Sequence, residues 1–311
     1  MKVLVTGGAG FIGSHVIDIL LSKGCQVVII DNLSTGLREN INNRAKFIEM
    51  DILSDQILNV FQQEKFDHVI HLAAQTTVAY SLEHPDEDCN INIAGTVQIL
   101  EACRKTQVRR VVFASSAAVY GDTTQLPITE NAPIQPSSFY GLSKWTVECY
   151  LSLYHRFYGL NYAALRFANV YGERQGDRGE GGVISIFIRK IQQNEPVNIF
   201  GDGGQTRDFI YAGDVAEAIY LALINPQMCL NRVYNISTQT QTSVNTLVEI
   251  LSQASGKTVK KVYGPPRDGD IYHSMLDNSA ALYNLGWKPK LSLAAGLHRT
   301  YLSKIGKMSK N

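Results

Sequence analysis

Short apolar runs alternate with amphipathic segments through the first half of the chain. The runs are rich in β-branched residues and lie at residues 3–6, 26–30, 46–49, 68–71, 110–115 and 162–166. Continuous apolar runs of this length are typical of parallel strands covered on both faces. Residues 14–23 and 92–106 show helical periodicity between them. The alternation predicts βαβ units and an α/β fold with a doubly wound parallel sheet of Rossmann type.

The regular alternation ends after the sixth apolar run. Residues 173–182 are rich in Gly and charge, and prolines punctuate the less regular pieces that follow. We predict a dinucleotide-binding domain at residues 1–172, with a return near 209–236. A second, smaller mixed α/β substrate lobe is expected at residues 173–208 and 237–311.

Composition argues against several kinds of partner. The chain has 311 residues and a formal net charge of +1, so no global field would attract nucleic acid or an anionic membrane. No stretch approaches the ~20 apolar residues of a membrane span. We therefore expect no nucleic acid and no membrane as partners. An anionic substrate would have to be held by a few placed cations.

Cysteine and histidine usage points to a protein without disulfides or metal. The five cysteines are dispersed and form no C-x-x-C pair, which predicts reduced thiols and a cytoplasmic protein. Metal-ligand spacing is absent from the sequence, so we expect no metal site. His68 and His71 lie on a predicted strand and at its end, and we expect them to be core or backbone-bonded imidazoles.

A glycine-rich segment, TGGAGFIG at residues 6–13, follows the first strand and opens a helix. Gly7 would allow a tight turn, Gly10 would let the backbone approach a pyrophosphate, and Gly13 would let the helix pack on the strand. The N–H groups at the start of the helix would then face phosphate charge. This pattern predicts a dinucleotide site.

Asp31 closes the second predicted strand, 18 residues after Gly13. A carboxylate there can accept hydrogen bonds from ribose hydroxyls and would repel a 2′-phosphate, which favours NAD over NADP. The alternative is that Asp31 is only a turn residue. Two residues separate Gly7 from Gly10, where the usual dehydrogenase fingerprint has one.

Tyr140 and Lys144 form a Tyr-x-x-x-Lys pattern, and the Pro-Ser-Ser run at residues 136–138 predicts a helix start. Four residues apart on a helix, the two side chains share one face. An ammonium beside a phenol favours the phenolate, which could take a proton from a sugar hydroxyl as hydride leaves the same carbon. The segment SSAAVYG at residues 115–121 ends the preceding strand, where a hydroxyl points into the ligand crevice.

These segments together are similar to those of the extended short-chain dehydrogenase/reductase family, and more closely to its UDP-glucose (UDP-galactose) 4-epimerases. The resemblance covers nearly the whole chain. Besides the glycine segment and Tyr-x-x-x-Lys, it rests on DNLSTG at 31–36, DI at 51–52, HLAAQ at 71–75, NIAGT at 92–96, SSAAVYG at 115–121, RFANVYG at 166–172, FGDG at 200–203, TRDF at 206–209 and RDGD at 267–270.

The resemblance implies catalytic and cofactor roles. Tyr140 would be the base, Lys144 would tune it and hold the nicotinamide ribose, and Ser116 would hydrogen-bond the 4′-oxygen of the sugar. NAD would be contacted by Gly7, Gly10, Phe11, Ile12, Gly13, Asp31, Asn32, Ser34, Thr35, Gly36, Asp51, Ile52, Leu72, Ala73, Ala74, Gln75, Asn92, Tyr140, Lys144 and Phe167. Gln75 and Thr76 replace the lysine-containing turn of some epimerases.

The resemblance also implies contacts to the nucleotide diphosphate, from Asn169, Gly182, Val183, Phe200, Arg207, Arg267 and Asp270. Guanidinium forks suit a diphosphate in a protein of near-zero net charge. In the resembled family the position four residues after the Asp of Arg-x-Gly-Asp walls the hexose pocket, which would be Ser274. A serine would leave room for a C2 acetamido group. If the count is off by one or two, Tyr272 or His273 would lie nearer the sugar.

Alternative functions stay open at this point. A UDP-glucuronate 4-epimerase or a net reductase would use the same scaffold and NAD. A non-catalytic protein that binds NAD or a nucleotide sugar would not need Ser116, Tyr140 and Lys144. Dehydratases and decarboxylases of the family usually place an acidic residue two positions after the active-site hydroxyl, where this chain has Ala118.

The expected activity is NAD-dependent 4-epimerisation of a UDP-sugar, UDP-glucose or UDP-galactose and also the N-acetylated forms, through a transient 4-keto sugar. The helical segments at residues 92–106 and 142–158 carry apolar positions beyond what one sheet face needs. Because the resembled family pairs such helices into a four-helix contact, we expect a homodimer.

Overall fold

The computed structural model describes residues 1–123, 125–176, 182–226, 230–266 and 271–308, and of 307 and 308 the backbone alone. Within these ranges, every helix is too short or too polar to cross a membrane.

Strands and helices alternate along the chain. The strands are β1 (Lys2–Thr6), β2 (Gln26–Asp31), β3 (Lys46–Glu49), β4 (His68–His71), β5 (Arg110–Ser116), β6 (Asn161–Phe167), β7 (Asn169–Tyr171), β8 (Val197–Phe200), β9 (Thr206–Arg207), β10 (Phe209–Tyr211), β11 (Arg232–Ile236), β12 (Thr242–Ser243) and β13 (Lys261–Gly264). The helices are α1 (Phe11–Ser22), α2 (Ile57–Glu64), α3 (Val78–Glu83), α4 (Pro85–Asp88), α5 (Gly95–Lys105), α6 (Phe139–Tyr158), α7 (Val183–Gln192), α8 (Ala212–Ile224), α9 (Val244–Ser255) and α10 (Leu293–Met308).

The main sheet is parallel, with strand order β11-β6-β5-β4-β1-β2-β3 in the described part of the chain. The strand order reverses between β1 and β4, which opens a crevice at the carboxyl ends of these strands. All six predicted strands are present, with ends within one residue of the expected positions. The predicted fold class is confirmed.

Side chains on alternate strand positions pack into two different cores. Val3 and Val5 of β1 lie in one core with α1 and α8, whereas Leu4 lies in the other with α2, α5 and α6. Because side chains of a strand alternate between faces, each apolar run is covered by helices on both sides. This explains why the runs contain few polar positions.

Short sheets carry the second part of the chain. Strands β7 and β10 form one, β9 and β12 a second, and β8 and β13 a third. A separate apolar cluster joins α7, α9 and α10 to β8 and β10. Strand β11 lies beside β6 in the main sheet, and Ala281, Leu285 and Trp287 pack into the core of α1 and α8. The predicted boundaries between the two lobes stay a prediction.

The helical segment predicted at residues 92–106 differs from the observed one. Helical backbone begins at α4 and continues through a π-helical turn at Cys89–Ala94 before α5 starts at Gly95. A π-turn holds an extra residue, and such turns are frequent at functional sites. Here the wide turn carries Asn92, whose side chain points inward and is buried.

Candidate active site

The turn between β1 and α1 depends on two close backbone contacts. A Cβ at Gly7 would lie 2.7 Å from the Ala73 nitrogen, and a Cβ at Gly13 would lie 2.3 Å from the Gly7 carbonyl oxygen. Gly10 is different, because among the described residues a Cβ there would meet only the Gly7 oxygen, at 3.1 Å. Gly10 precedes α1 without a side-chain cap, so the N–H groups of the first turn are available to an anion.

Asp31 fastens this turn to the loop after β2. Its two oxygens accept the backbone N–H groups of Ala9, at 2.9 Å, and Leu33, at 2.8 Å. A Cβ at Gly36 would lie 2.7 Å from Asp31 Oδ1, so the loop passes directly against the carboxylate. Burial raises the pKa of Asp31, while these N–H groups lower it. Each oxygen keeps lone-pair capacity for a ligand hydroxyl.

The loops after β2 and β3 are joined at the same edge. Asn32 donates to Asp51 Oδ2 at 2.7 Å, and its own oxygen accepts the Ser34 N–H at 3.0 Å. Ile52 is buried and packs against Gly95, where a Cβ would lie 2.7 Å from Ile52 Cδ1. The Ile52 side chain therefore faces the core, and a ligand contact there would have to use its backbone.

His71 is fully buried below the turn that follows β4. Its Nδ1 is 2.7 Å from Thr6 Oγ1, and its Nε2 is 2.9 Å from Thr96 Oγ1. Since Thr96 donates to the Asn92 carbonyl, His71 Nε2 is the donor and Nδ1 the acceptor. The Thr6 oxygen also accepts the N–H groups at the start of the Leu72–Gln75 turn, at 3.2 and 3.3 Å. The expected core histidine thus has threonine hydroxyls as partners.

Asn92 ties the turn after β4 to helix α6. Its oxygen accepts the Gln75 N–H at 2.8 Å, and its amide nitrogen lies 3.0 Å from both the Gln75 carbonyl and Asp88 Oδ2 and 3.1 Å from Ser143 Oγ. Gln75 Nε2 also donates to Asp88, at 2.9 Å. Sequence reasoning missed Asp88 and Ser143. The available signals were the polar character of Asp88, one helical turn before Asn92, and of Ser143, next to Lys144.

Helix α6 carries the Tyr-x-x-x-Lys pair. Ser138 caps its N-terminus by accepting the Gly141 N–H at 3.1 Å, so the helix starts where the sequence predicts. Tyr140 is half-buried, and Lys144 is only 4% exposed. Lys144 Nζ lies 5.7 Å from the centre of the Tyr140 ring and 5.0 Å from that of Phe113. The i, i+4 spacing does bring phenol and ammonium together.

Ser116 ends β5, directly before a 3-10 turn at Ala117–Tyr120. Its hydroxyl accepts the Ala118 N–H at 3.2 Å. A Cβ at Gly141 would lie 2.4 Å from the Ala118 carbonyl oxygen, so this turn touches the first turn of α6. Because Ser116 and Tyr140 each adjoin this contact, the structure brings their two backbone segments side by side.

The remaining predicted substrate residues lie in the second part of the chain. Asn169 starts β7, Phe200 ends β8, Gly182 precedes α7, and Val183 is the first residue of that helix. Phe167, a predicted NAD contact, instead ends β6 of the main sheet, beside Ser116 in the sheet register. Arg267 and Asp270 lie outside the described residues.

Arg207 and Ser274 lie on neighbouring segments. The Thr206 N–H donates to the Tyr272 carbonyl at 2.8 Å, and Thr206 Oγ1 is 3.0 Å from His273 Nδ1. Further along, Leu276 is buried with Val119 and Tyr120 of the turn after Ser116. Ser274 therefore lies on the segment that runs from Arg207 toward the Ser116 turn.

The site thus combines a glycine turn, an acidic residue at a strand end and a Ser, Tyr and Lys set at one sheet edge. Comparison with known proteins agrees with this arrangement. The NAD dependent epimerase/dehydratase family matches residues 3–237. The chain belongs to this family. The predicted extended short-chain dehydrogenase/reductase resemblance is thereby confirmed.

Relatives in the NAD dependent epimerase/dehydratase family match over nearly their whole length. A putative UDP-glucose 4-epimerase from Methanocaldococcus jannaschii is 48% identical over 298 residues, 96% of each chain. The crystal structure of Thermotoga maritima UDP-glucose 4-epimerase with UDP-glucose has a TM-score of 0.96 and 42% identity, and covers 99% of this chain and 100% of that one. The UDP-N-acetylglucosamine 4-epimerase of Methanobrevibacter ruminantium, in complex with UDP-N-acetylmuramic acid, has a TM-score of 0.94 and 36% identity, with 99% of each chain covered.

The neutral state of His71 has a measurable consequence. Burial, and then the Lys144 charge, lower the pKa of His71 from 6.5 to about 3. At pH values between these two pKa values, His71 binds a proton in the unfolded chain but not in the folded protein. His71 therefore makes the free energy of unfolding decrease as the pH falls. We expect the stability gap between wild type and His71→Gln to narrow from about pH 7 to about pH 5, by at most ~1.4 kcal/mol per pH unit.

Urea unfolding at the two pH values measures that gap. The core variant Trp287→Phe removes no titrating group, and its gap to wild type should stay constant. A gap for His71→Gln that widens at acid pH would show that His71 is protonated in the folded protein.

Proposed function

We propose that the protein is an NAD-dependent UDP-glucose 4-epimerase, which interconverts UDP-glucose and UDP-galactose through a 4-keto sugar. The observation that carries this proposal is the buried Lys144 beside Tyr140, with the Ser116 turn packed against the same turn of α6. Similarity to UDP-glucose 4-epimerases over 96% or more of the chain supports it.

The residues at the crevice fit NAD. The backbone of Gly10 is open to a pyrophosphate, and the uncapped start of α1 offers N–H groups to it. Asp31 stands at the end of β2, where its carboxylate suits ribose hydroxyls and disfavours a 2′-phosphate. When bound, NAD would reversibly accept hydride from C4 of the sugar.

The chain's own residues handle the proton. Tyr140, as phenolate, takes the proton of the 4′-hydroxyl, and the Lys144 ammonium stabilises that phenolate. Ser116 holds the 4′-oxygen by a hydrogen bond. The same tyrosine returns the proton after the sugar has turned over, so the reaction needs no external acid.

Small side chains next to Ser116 suit a sugar that must turn over within the site. Ala117 and Ala118 form the start of the 3-10 turn. Neither can act as the acid or base that β-elimination from a 4-keto sugar requires, which separates this site from dehydratases of the family. Arg207 would hold the diphosphate while the hexose moves.

Removal of the phenol tests the assignment of the base. Tyr140→Phe keeps the ring that packs near Lys144 but removes the group that accepts the proton. We expect turnover of UDP-galactose to fall ~10²–10⁴-fold while the bound nicotinamide nucleotide is retained. The control is Tyr283→Phe, at a side chain that is 82% exposed. Turnover of Tyr140→Phe near that of wild type would refute the proposed base.

We also propose that the hexose pocket accepts a C2 acetamido group next to Ser274. The rival residue Tyr272 is engaged elsewhere, since its hydroxyl is 2.9 Å from Asp202 Oδ2. The Methanobrevibacter ruminantium relative is a UDP-N-acetylglucosamine 4-epimerase, which supports the wider substrate range. A small wall permits the larger sugar without requiring it, so UDP-glucose remains a substrate.

A bulky residue at this wall should separate the two sugars. We expect Ser274→Tyr to lose turnover of UDP-N-acetylglucosamine by ~10-fold or more, with turnover of UDP-glucose changed far less, because only the acetamido group overlaps the new ring. Product stereochemistry by proton NMR measures both. If instead Tyr272→Ser raises UDP-N-acetylglucosamine turnover while Ser274→Tyr has no effect, Tyr272 is the wall.

We propose a homodimer that pairs through α6. Leu142, Trp145, Leu153 and Phe157 form an exposed apolar stripe along this helix, with exposed fractions of 37–66%. Their spacing of three, four or eight residues places them on one helix face, away from the buried face with Lys144. An apolar stripe of this length is typical of a protein–protein interface.

A charge within the stripe should separate the subunits. Leu153→Glu is expected to give a monomer mass in light scattering at micromolar concentration, because a carboxylate would have to be buried at the interface. Leu302→Glu, at an exposed leucine of α10, should stay dimeric. A wild-type monomer, or a dimeric Leu153→Glu protein, would contradict this interface.

We also propose that the protein is located in the cytoplasm. Cys25, Cys89, Cys103 and Cys149 are free thiols, which a reducing compartment would preserve.

A further inference from the structure

A buried ion pair lies one helical turn beyond Lys144. Glu148 of α6 and Arg166 of β6 have side-chain exposures of 6% and 5%. Arg166 Nε donates to Glu148 Oε1 at 2.9 Å and Nη2 to Oε2 at 2.6 Å, a bidentate fork. Burying two charges costs several kcal/mol per ion before their attraction is counted, so such a pair is weak evidence of stabilisation by itself. What the pair connects is more informative.

Glu148 joins the two elements that carry the proposed catalytic residues. Ser115 Oγ donates to Glu148 Oε1 at 2.5 Å, and Ser115 directly precedes Ser116. On the helix, Glu148 follows Lys144 by four residues and Tyr140 by eight, so all three share one face. The Glu148 carboxylate therefore fixes the position of the end of β5 relative to helix α6.

Arg166 extends the same connection across the sheet. It lies opposite Ser115 in the register of β5 and β6. Its Nη1 donates to the Tyr120 hydroxyl at 2.8 Å, and its Cζ lies 4.7 Å from the centre of the Tyr120 ring. Tyr120 ends the 3-10 turn that begins after Ser116. The ion pair thus holds Ser116 from both sides, through Ser115 before it and Tyr120 after it.

The chain of hydrogen bonds continues to the segment that carries Ser274. The Tyr120 hydroxyl donates to Asn235 Oδ1 at 2.7 Å, and Asn235 Nδ2 donates to the Ile128 carbonyl at 2.9 Å. The Ile128 N–H in turn donates to the Met275 carbonyl at 2.8 Å. The segment of the proposed hexose wall is therefore connected, through Tyr120, to the ion pair that holds Ser116.

We propose that Glu148, supported by Arg166, is a positioning residue that sets Ser116 against Tyr140 and Lys144 through its hydrogen bond with Ser115. This inference rests on the proposed epimerase function. It assigns a role to buried residues that do not themselves touch the sugar. A displacement of about 1 Å at a reacting group can cost ~10²-fold in rate, so the hydrogen bond can matter for turnover beyond its contribution to folding.

The mildest test removes only the hydrogen bond from Ser115. In Ser115→Ala the ion pair stays intact, and we expect kcat with UDP-galactose to fall ~10-fold or more, with KM and bound nicotinamide nucleotide little changed. The matched control is Thr300→Val, which deletes another buried hydroxyl, bonded to the Gly296 carbonyl within α10. It should lose comparable stability and keep wild-type kcat.

A double-mutant cycle shows whether Ser115 acts through Ser116. If it does, Ser115→Ala should have no further effect on kcat in a Ser116→Ala background. An equal further loss in that background, or wild-type kcat in Ser115→Ala alone, overturns the inference. Absence of UDP-galactose turnover in the wild-type protein would instead contradict the proposed function, so the two failures are distinguishable.

The ion pair itself is tested by replacing both partners. Glu148→Met with Arg166→Met avoids an isolated buried charge, and apolar replacement of a buried pair commonly leaves a folded protein. We expect a folded double variant that binds the nicotinamide nucleotide and shows a kcat loss at least as large as that of Ser115→Ala. A folded double variant with wild-type kcat would exclude the positioning role.

Discussion

The ammonium of Lys144 is a charge that the protein keeps almost entirely out of water. Such burial is expensive unless neighbouring groups offset the lost hydration. The centres of the Phe113 and Tyr140 rings lie 5.0 and 5.7 Å away. Burial and then the ammonium lower the pKa of His71, whereas burial raises the pKa of Asp88 against the opposing effect of the ammonium. His71 stays neutral there, so no second cation forms below the turn after β4. Much of the surrounding hydrogen bonding can be understood as holding one cation beside one phenol.

The elements around this cation are linked at several independent points. The turn after β4 is fixed by Thr6 and Asn92, and the turn after β5 by contact with Gly141 and by the Glu148–Arg166 pair. The parallel strands bring these turns to one edge of the sheet, but hydrogen bonds between the elements fix the positions of the turns relative to each other. The proposed reaction moves one proton and one hydride, so the side chains that contact the sugar must be held in fixed positions relative to one another. The small residues next to Ser116 leave the sugar free to turn.

Local patterns in the sequence were enough to predict much of this arrangement. The apolar runs located six strands of the main sheet, Ser138 marked the start of α6, and the glycine spacing located the turn before α1. These features involve residues a few positions apart, so their physical cause is visible in the sequence.

The features that sequence reasoning missed depend on distant partners. Asp88 meets Gln75 across 13 residues, and Asn92 meets Ser143 across 51, so neither pair leaves a periodic signal. The inward side chain of Ile52 depends on Gly95, which no local pattern around Ile52 reveals. Strands of two or three residues, such as β9 and β12, are too short to show alternation.

In the proposed reaction, hydride leaves C4 of the sugar and returns to the same molecule while the protein retains the nicotinamide nucleotide. Deuterium at C4 of UDP-galactose tests this most directly, with the protein as purified and no nucleotide added. We expect UDP-glucose that keeps its deuterium at C4, with none exchanged into water and no net formation of reduced nucleotide. Loss of the label to solvent, or conversion that requires a continuous supply of NAD, would contradict it.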